Sequence, residues 1–312
     1  MGEARDQASL TTGVDGQVLV GGSRLAAYAN FVKVAHTVFA LPFAVVGMGT
    51  ASRVHPVGWR TAALAGVAFA AARFAGMGFN RIADRHYDAL NPRTAGRELP
   101  SGRMSLGEAG ALVAIAGGVF VGVSALLNPL CFALSPLALA WILGYSYAKR
   151  FTSLSHLWLG LSLAIAPVGG YLAVAGSWST PWWTLLLVAS GVAAWVAGFD
   201  ILYALQDEAF DREHRLRSMA VALGAQGAIA VSRMLHAGAV VALLLFGAFA
   251  GLGAVYTGAV AVAAGLLAWE HRLVRPGDYS RLDAAFFTMN GIISGVIMAG
   301  AVADVAWVAG AR

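Results

Sequence analysis

Two short segments of this chain concentrate oxygen-bearing side chains at helical spacing. The first reads Asn80-Arg-Ile-Ala-Asp84-Arg-His-Tyr-Asp88. At about 100° per residue, Asn80, Asp84 and Asp88 fall on one stripe of a helix. The second reads Asp200-Ile-Leu-Tyr203-Ala-Leu-Gln-Asp207-Glu-Ala-Phe-Asp211. On a continuous helix its three aspartates lie within about 40° of one another. Carboxylate and amide oxygens are the hard ligands that Mg²⁺ takes, and Mg²⁺ keeps positions open for water and substrate phosphate oxygens. Six such side chains from two segments suffice to clamp one diphosphate through two ions. Each segment alone also reads as a solvated helix end or loop, with pairs such as Asp84 with Arg81 or Arg85. Together they favour the metal.

Basic side chains stand close by in the sequence. After the first motif comes Asn91-Pro-Arg93-Thr-Ala-Gly-Arg97-Glu-Leu-Pro-Ser-Gly-Arg103, whose prolines and glycines break the helix and let the loop fold back. Arg93, Arg97 and Arg103 are candidates for diphosphate oxygens, because the guanidinium fork matches phosphate. Lys149 and Arg150 follow Tyr145 and Tyr147. Arg73 lies seven residues before Asn80, inside an apolar run. An arginine at membrane depth is costly and marks a functional candidate. Asp200 also ends an apolar run, so a cation or a facing Arg is expected beside it. His36, His86, His156 and His214 show no zinc spacing and are expected to be core or interfacial. Cys131, the single cysteine, is expected to be a small buried hydrophobe, which excludes a disulfide framework or a cysteine metal site.

The elements that must hold these residues are membrane helices. Of 312 residues, 59% are hydrophobic and 12% charged, against about 45–50% and about 25% in soluble domains. The mean hydropathy is +0.70. Apolar runs cover 29–52, 58–82, 106–127, 129–148, 157–176, 181–204, 228–249, 251–271 and 284–309, each long enough to span a bilayer. The fold class expected is all-α, a multi-pass integral membrane protein with nine crossings. Residues 1–27 are polar and read as a disordered cytoplasmic tail, with 28–310 as one membrane domain. The net charge of +5 and the pI near 9.7 do not signal nucleic acid here, because the basic residues fall between apolar runs. Seventeen of the 21 Lys and Arg fall in the tail and after runs two, four, six and eight; three fall on the other side, and Arg73 inside a run. That bias predicts a cytoplasmic N-terminus and an odd number of crossings, with both acidic motifs on the cytoplasmic face.

The two motifs, with Phe31-Val-Lys33-Val-Ala-His-Thr-Val-Phe-Ala-Leu-Pro-Phe43, Asn91-Pro-Arg-Thr-Ala-Gly-Arg-Glu-Leu-Pro100, Tyr145-Ser-Tyr-Ala-Lys149-Arg-Phe-Thr152 and Tyr203-Ala-Leu-Gln-Asp207, resemble the UbiA superfamily of intramembrane prenyltransferases. They are most similar to the bacterial 4-hydroxybenzoate polyprenyltransferases and their branch proposed for futalosine-route menaquinone synthesis. The resemblance implies helices around a central cavity in the bacterial plasma membrane, with no obligate protein partner. It implies Mg²⁺-dependent transfer of a polyprenyl chain from its diphosphate to 4-hydroxybenzoate or a hydroxynaphthoate. It assigns Asn80, Asp84, Asp200 and Asp207 to Mg²⁺-diphosphate binding, with Asp88 and Asp211 in support, either of which could be the base for the ring proton. Lys33, Arg73, Arg103, Tyr145, Lys149 and Tyr203 would fall near the diphosphate or acceptor. Arg81 stands where many members carry Asp. Prenylation of haem, chlorophyll or a lipid is the alternative within the superfamily. A secondary transporter with Arg73 and Asp200 on an ion path is the alternative outside it.

Overall fold

The computed structural model describes residues 28, 30–31, 37–274, 276–277, 279, 282 and 289–310. The expected tail, Lys33 and His36 lie outside the described residues. Among the described residues there are nine long helices: α1 (Thr37–Ser52), α2 (Trp59–Leu90), α3 (Leu106–Leu127), α4 (Pro129–Gly144), α5 (Ser155–Ala175), α6 (Trp182–Ala204), α8 (Met219–Ala250), α9 (Ala254–Leu273) and α10 (Asn290–Gly310). The short α7 (Glu208–Glu213) precedes α8. Among the described residues there is no strand, and seven helices are long and apolar enough to cross a membrane. The described apolar part of α1 is shorter, and α9 carries Glu270, His271 and Arg272 in its last turn.

Consecutive long helices pack side by side and α10 returns to α1, so the helices close into a ring. α1 also packs on α5, across the ring. One half, built from α6, α8, α9, α10 and α1, is filled by Phe43, Trp195, Phe199, Phe246, Tyr256 and Ile297. Leu137, Met234 and Trp307 are 71–78% exposed, as side chains facing lipid would be. Loop chemistry sets several helix ends. Ser105 and Glu108 form a reciprocal cap on α3. Asn128 caps α4 ahead of Pro129 and donates to the Leu172 carbonyl at 2.9 Å.

Three expectations change. Asp200, Asp207 and Asp211 do not share one helix: α6 ends at Ala204, a 3₁₀ turn covers Leu205–Asp207, and Asp211 is in α7. The expected run at 228 begins as helix nine residues earlier, at Met219, because Ser218 caps a turn that kinks at Gly224 (φ 67°). Arg233, counted as a loop charge, therefore lies inside α8 with an exposed side chain. Cys131 is only half-buried and lines a cavity.

Candidate active site

The two acidic motifs meet. The end of α2, the Asn91–Arg97 loop, the 3₁₀ turn Tyr145–Arg150, the start of α5 and the end of α6 enclose one polar chamber. Asn80, Asp84, Asp88, Asp200, Asp207 and Asp211 all line it. About 960 Å³ of space lies within it, its mouth included.

Each aspartate has a partner drawn from another segment or from its own helix. Asn80 Nδ2 donates to Asp84 Oδ2 at 2.9 Å, and Arg150 Nη2 reaches Asp84 Oδ1 at 3.3 Å and the Ala83 carbonyl at 2.6 Å. The Arg150 guanidinium lies 4.6 Å from the centre of the Tyr147 ring. Arg97 Nη1 donates to Asp88 Oδ1 at 2.6 Å. Arg93 grips Asp207 with two nitrogens, Nη2 to Oδ2 at 2.6 Å and Nε to Oδ1 at 3.1 Å. Asn91 Nδ2 adds a third donor to Asp207 at 3.1 Å, and Arg93 Nη1 reaches the Tyr203 hydroxyl at 3.3 Å. Lys149 Nζ donates to Asp211 Oδ2 at 3.1 Å. Asp200 Oδ2 lies 2.6 Å from His156 Nδ1. The chamber thus holds fixed carboxylates interleaved with fixed cations, the donor set a metal–diphosphate pair requires. Among the described residues, no three His, Cys, Asp or Glu side chains converge into a ready cage, so an ion here would draw ligands from substrate and water, as Mg²⁺ does.

A second cavity, with about 1180 Å³ of space including its mouth, runs between α1, α2, α3, α4 and α5. Its wall is almost wholly apolar and rich in small residues, among them Ala65, Ala68, Ala72, Ala138, Gly169 and Gly170. Ser124, Ser135 and Ser162 also line it, but each spends its hydroxyl on a helix carbonyl, at 2.7, 2.9 and 2.9 Å. Tyr145 and Leu159 border both spaces, so the polar chamber and the apolar cavity adjoin. Arg73 is the charged side chain of the apolar cavity, and its Nε is buried without a hydrogen-bond partner.

Arg93, Arg97, Tyr145, Lys149 and Tyr203 therefore reach the chamber as expected from sequence, and Arg73 the space beyond it. Arg103 does not. It donates to Ser101 Oγ and to the Gly96 carbonyl, and its guanidinium is 3.6 Å from Glu98. It closes its own loop instead of facing the site. Arg150, named with Lys149 among the basic side chains, also lines the chamber. Sequence reasoning passed over Asn91 and His156 as site residues. Asn91 stands two positions before Arg93; His156 carried no local signal at all.

The sequence profile of the UbiA prenyltransferase family matches residues 40–292. The 4-hydroxybenzoate octaprenyltransferase of Alkalilimnicola ehrlichii is 32% identical over 232 residues, covering 74% of this chain and 78% of the relative. That of Aeromonas hydrophila is 30% identical over 235 residues, covering 74% and 78%. The apo structure of a UbiA homologue from Aeropyrum pernix superposes with a TM-score of 0.78 at 38% identity, over 86% of this chain and 98% of that one. A UbiA homologue from Archaeoglobus fulgidus, bound to GPP and Mg²⁺, shares the fold at a TM-score of 0.68 and 19% identity, over 90% and 99%.

Proposed function

This chain belongs to the UbiA prenyltransferase family, and we propose that it transfers a polyprenyl group from its diphosphate to 4-hydroxybenzoate or a hydroxynaphthoate in quinone synthesis. One observation carries the proposal: a polar chamber of alternating carboxylates and cations adjoins an apolar cavity at Tyr145 and Leu159. A prenyl diphosphate has the same two-part chemistry. The aromatic acceptors are supported by the 4-hydroxybenzoate octaprenyltransferases among the relatives.

Asn80, Asp84, Asp200 and Asp207 fit Mg²⁺ by donor type and would hold it with the diphosphate. When bound, the ion supplies positive charge that makes diphosphate a better leaving group. The remaining work falls to this chain's own side chains. Arg93, Arg97, Lys149 and Arg150 exchange a carboxylate partner for diphosphate oxygens and stabilise the charge that builds as the C–O bond breaks. The apolar cavity holds the chain and keeps water from the allylic cation. The ring carbon beside the phenolic oxygen attacks that cation, and a carboxylate of the chamber removes the ring proton. The bias of basic residues supports a cytoplasmic N-terminus, an odd number of crossings and a cytoplasmic site in a bacterial plasma membrane.

Purified protein in nanodiscs, given a long polyprenyl diphosphate and each acceptor separately, is expected to prenylate at least one of them. EDTA should stop the reaction and added Mg²⁺ restore it. Absence of product with both acids would remove the aromatic-acid assignment. Arg73 is suited to the acceptor carboxylate, being a cation on the apolar side of Tyr145. Arg73→Gln is then expected to raise the acceptor KM by about 10–100-fold, the worth of one charge-assisted hydrogen bond. The KM for the prenyl diphosphate should stay within about threefold. Equal rises in both would reassign Arg73 to the diphosphate.

A further inference from the structure

Asp200 differs from the other four aspartates of the chamber. Asp84, Asp88, Asp207 and Asp211 each meet an Arg or Lys. Asp200 meets a histidine from the start of α5, 44 positions away in the chain. The His156 side chain is 1% exposed, so it has no free face to offer a substrate. Its second nitrogen, Nε2, faces the backbone N–H of Met219, the first residue of α8, at 3.4 Å. A backbone N–H can only donate. Nε2 must therefore accept, and the ring proton of the neutral imidazole sits on Nδ1, where it points at Asp200 Oδ2.

We propose that His156 is a positioning residue for the reaction. It ties down Oδ2 of Asp200 and leaves Oδ1 as the oxygen offered to the chamber, while the start of α8 fixes which imidazole nitrogen does the tying. A carboxylate at the end of a membrane helix otherwise has freedom about two side-chain torsions, and a ligand that wanders binds its ion weakly. Groups behind a metal ligand typically change metal affinity by about 10–100-fold when removed. The inference rests on the assignment of Asp200 to the metal–diphosphate pair.

The test is Mn²⁺ binding, read by electron paramagnetic resonance on detergent-purified protein with geranyl S-thiolodiphosphate, so that no turnover is needed. His156→Ala is expected to weaken Mn²⁺ binding by about 10–100-fold. His156→Asn carries an amide nitrogen where Nδ1 was and should stay within about fivefold of the wild type by preserving that donor. His156→Gln carries its amide where Nε2 was and should behave like alanine. A second pair avoids the histidine altogether. Met219→Pro deletes the N–H at a first helical position, where proline is accepted, and Ser218 is already extended at φ −143°, ψ 165°. It should bind Mn²⁺ more weakly than Met219→Ala, which keeps that N–H.

Wild-type affinity in His156→Ala would overturn the proposal. So would a loss in His156→Asn as large as in His156→Gln, because that pattern marks a packing strut with no preferred nitrogen. If the wild type binds no Mn²⁺ with the analogue, the metal assignment itself fails and takes this proposal with it.

Discussion

Alanine at Asp84 or at Asp207 is expected to cut prenyl transfer by about 10³-fold or more, equivalent to about 4 kcal/mol of transition-state stabilisation, while the protein remains folded. The two carboxylates come from segments far apart in the sequence, yet they face one chamber. Each would supply a charged oxygen ligand that holds the counter-ion of the diphosphate in place. The asparagine variants should fail nearly as completely, because an amide keeps the shape but not the charge. Folding should survive for a reason visible in the partners. The Arg150 and Asp84 side chains are 31% and 30% exposed, and those of Arg93 and Asp207 are 25% and 13% exposed. A cation left alone there can still take water. Asp88 is different: its side chain and that of its partner Arg97 are only 9% and 13% exposed. Removing Asp88 strands Arg97 in a desolvated site, and breaking such a pair costs about 3–5 kcal/mol. Alanine at Asp88 would therefore confuse lost chemistry with lost structure. Turnover assays beside size-exclusion profiles separate the two cases. Near-normal rates in Asp84→Ala or Asp207→Ala would end the metal role of that residue.

The elements were legible because lipid imposes one rule on every crossing: a long apolar run with its backbone bonds internal. The nine runs correspond to the nine long helices described. The first motif was legible because Asn80, Asp84 and Asp88 share one helix, where period alone decides which side chains are neighbours. The second gathers without that period. Its wheel assumed one helix, but a 3₁₀ turn and a new helix intervene, and the three aspartates nevertheless all line the chamber.

Pairing between helices was not legible. Whether His156 faces Asp200, or Arg103 faces the site or its own loop, depends on the rotation of each helix and on loop closure. Polarity does not settle rotation in a helix that is apolar all round. The start of α8 was missed for a related reason. Ser218 to Leu223 forms a capped turn before the kink at Gly224, and a search for apolar length has no term for a cap. Helix rotation in a membrane is set chiefly by where small residues let backbones touch, and this chain shows where that happens.

α1 and α5 touch through a reciprocal pair of glycines, and valine at Gly47 is expected to unseat them. A Cβ on Gly47 would fall onto the Pro167 carbonyl oxygen, and a Cβ on Gly170 onto the Ala44 carbonyl oxygen. In both cases the obstacle is backbone, which cannot turn aside as a side chain can. Overpacking a core typically costs about 1–3 kcal/mol and occasionally more; here the upper end applies, because whole helices must part. α1 has no room to retreat, being packed against α10 and α2 as well. Ala44 and Gly170 also border the apolar cavity, so parting these helices deforms the wall against which the prenyl chain would lie. Gly49 supplies the control within the same helix: its Cβ would meet only Val305 Cγ2, at 4.0 Å. After detergent extraction, Gly47→Val should give a low folded yield or a melting temperature lower by about 10 °C, using about 2–4 °C per kcal/mol. Gly49→Ala should match the wild type, and Gly47→Ala should already be impaired, because the clash begins at Cβ. Equal melting of Gly47→Ala and Gly49→Ala would mean that no close contact at Gly47 holds α1 to α5, and that the rotation of α1 is fixed elsewhere in the ring.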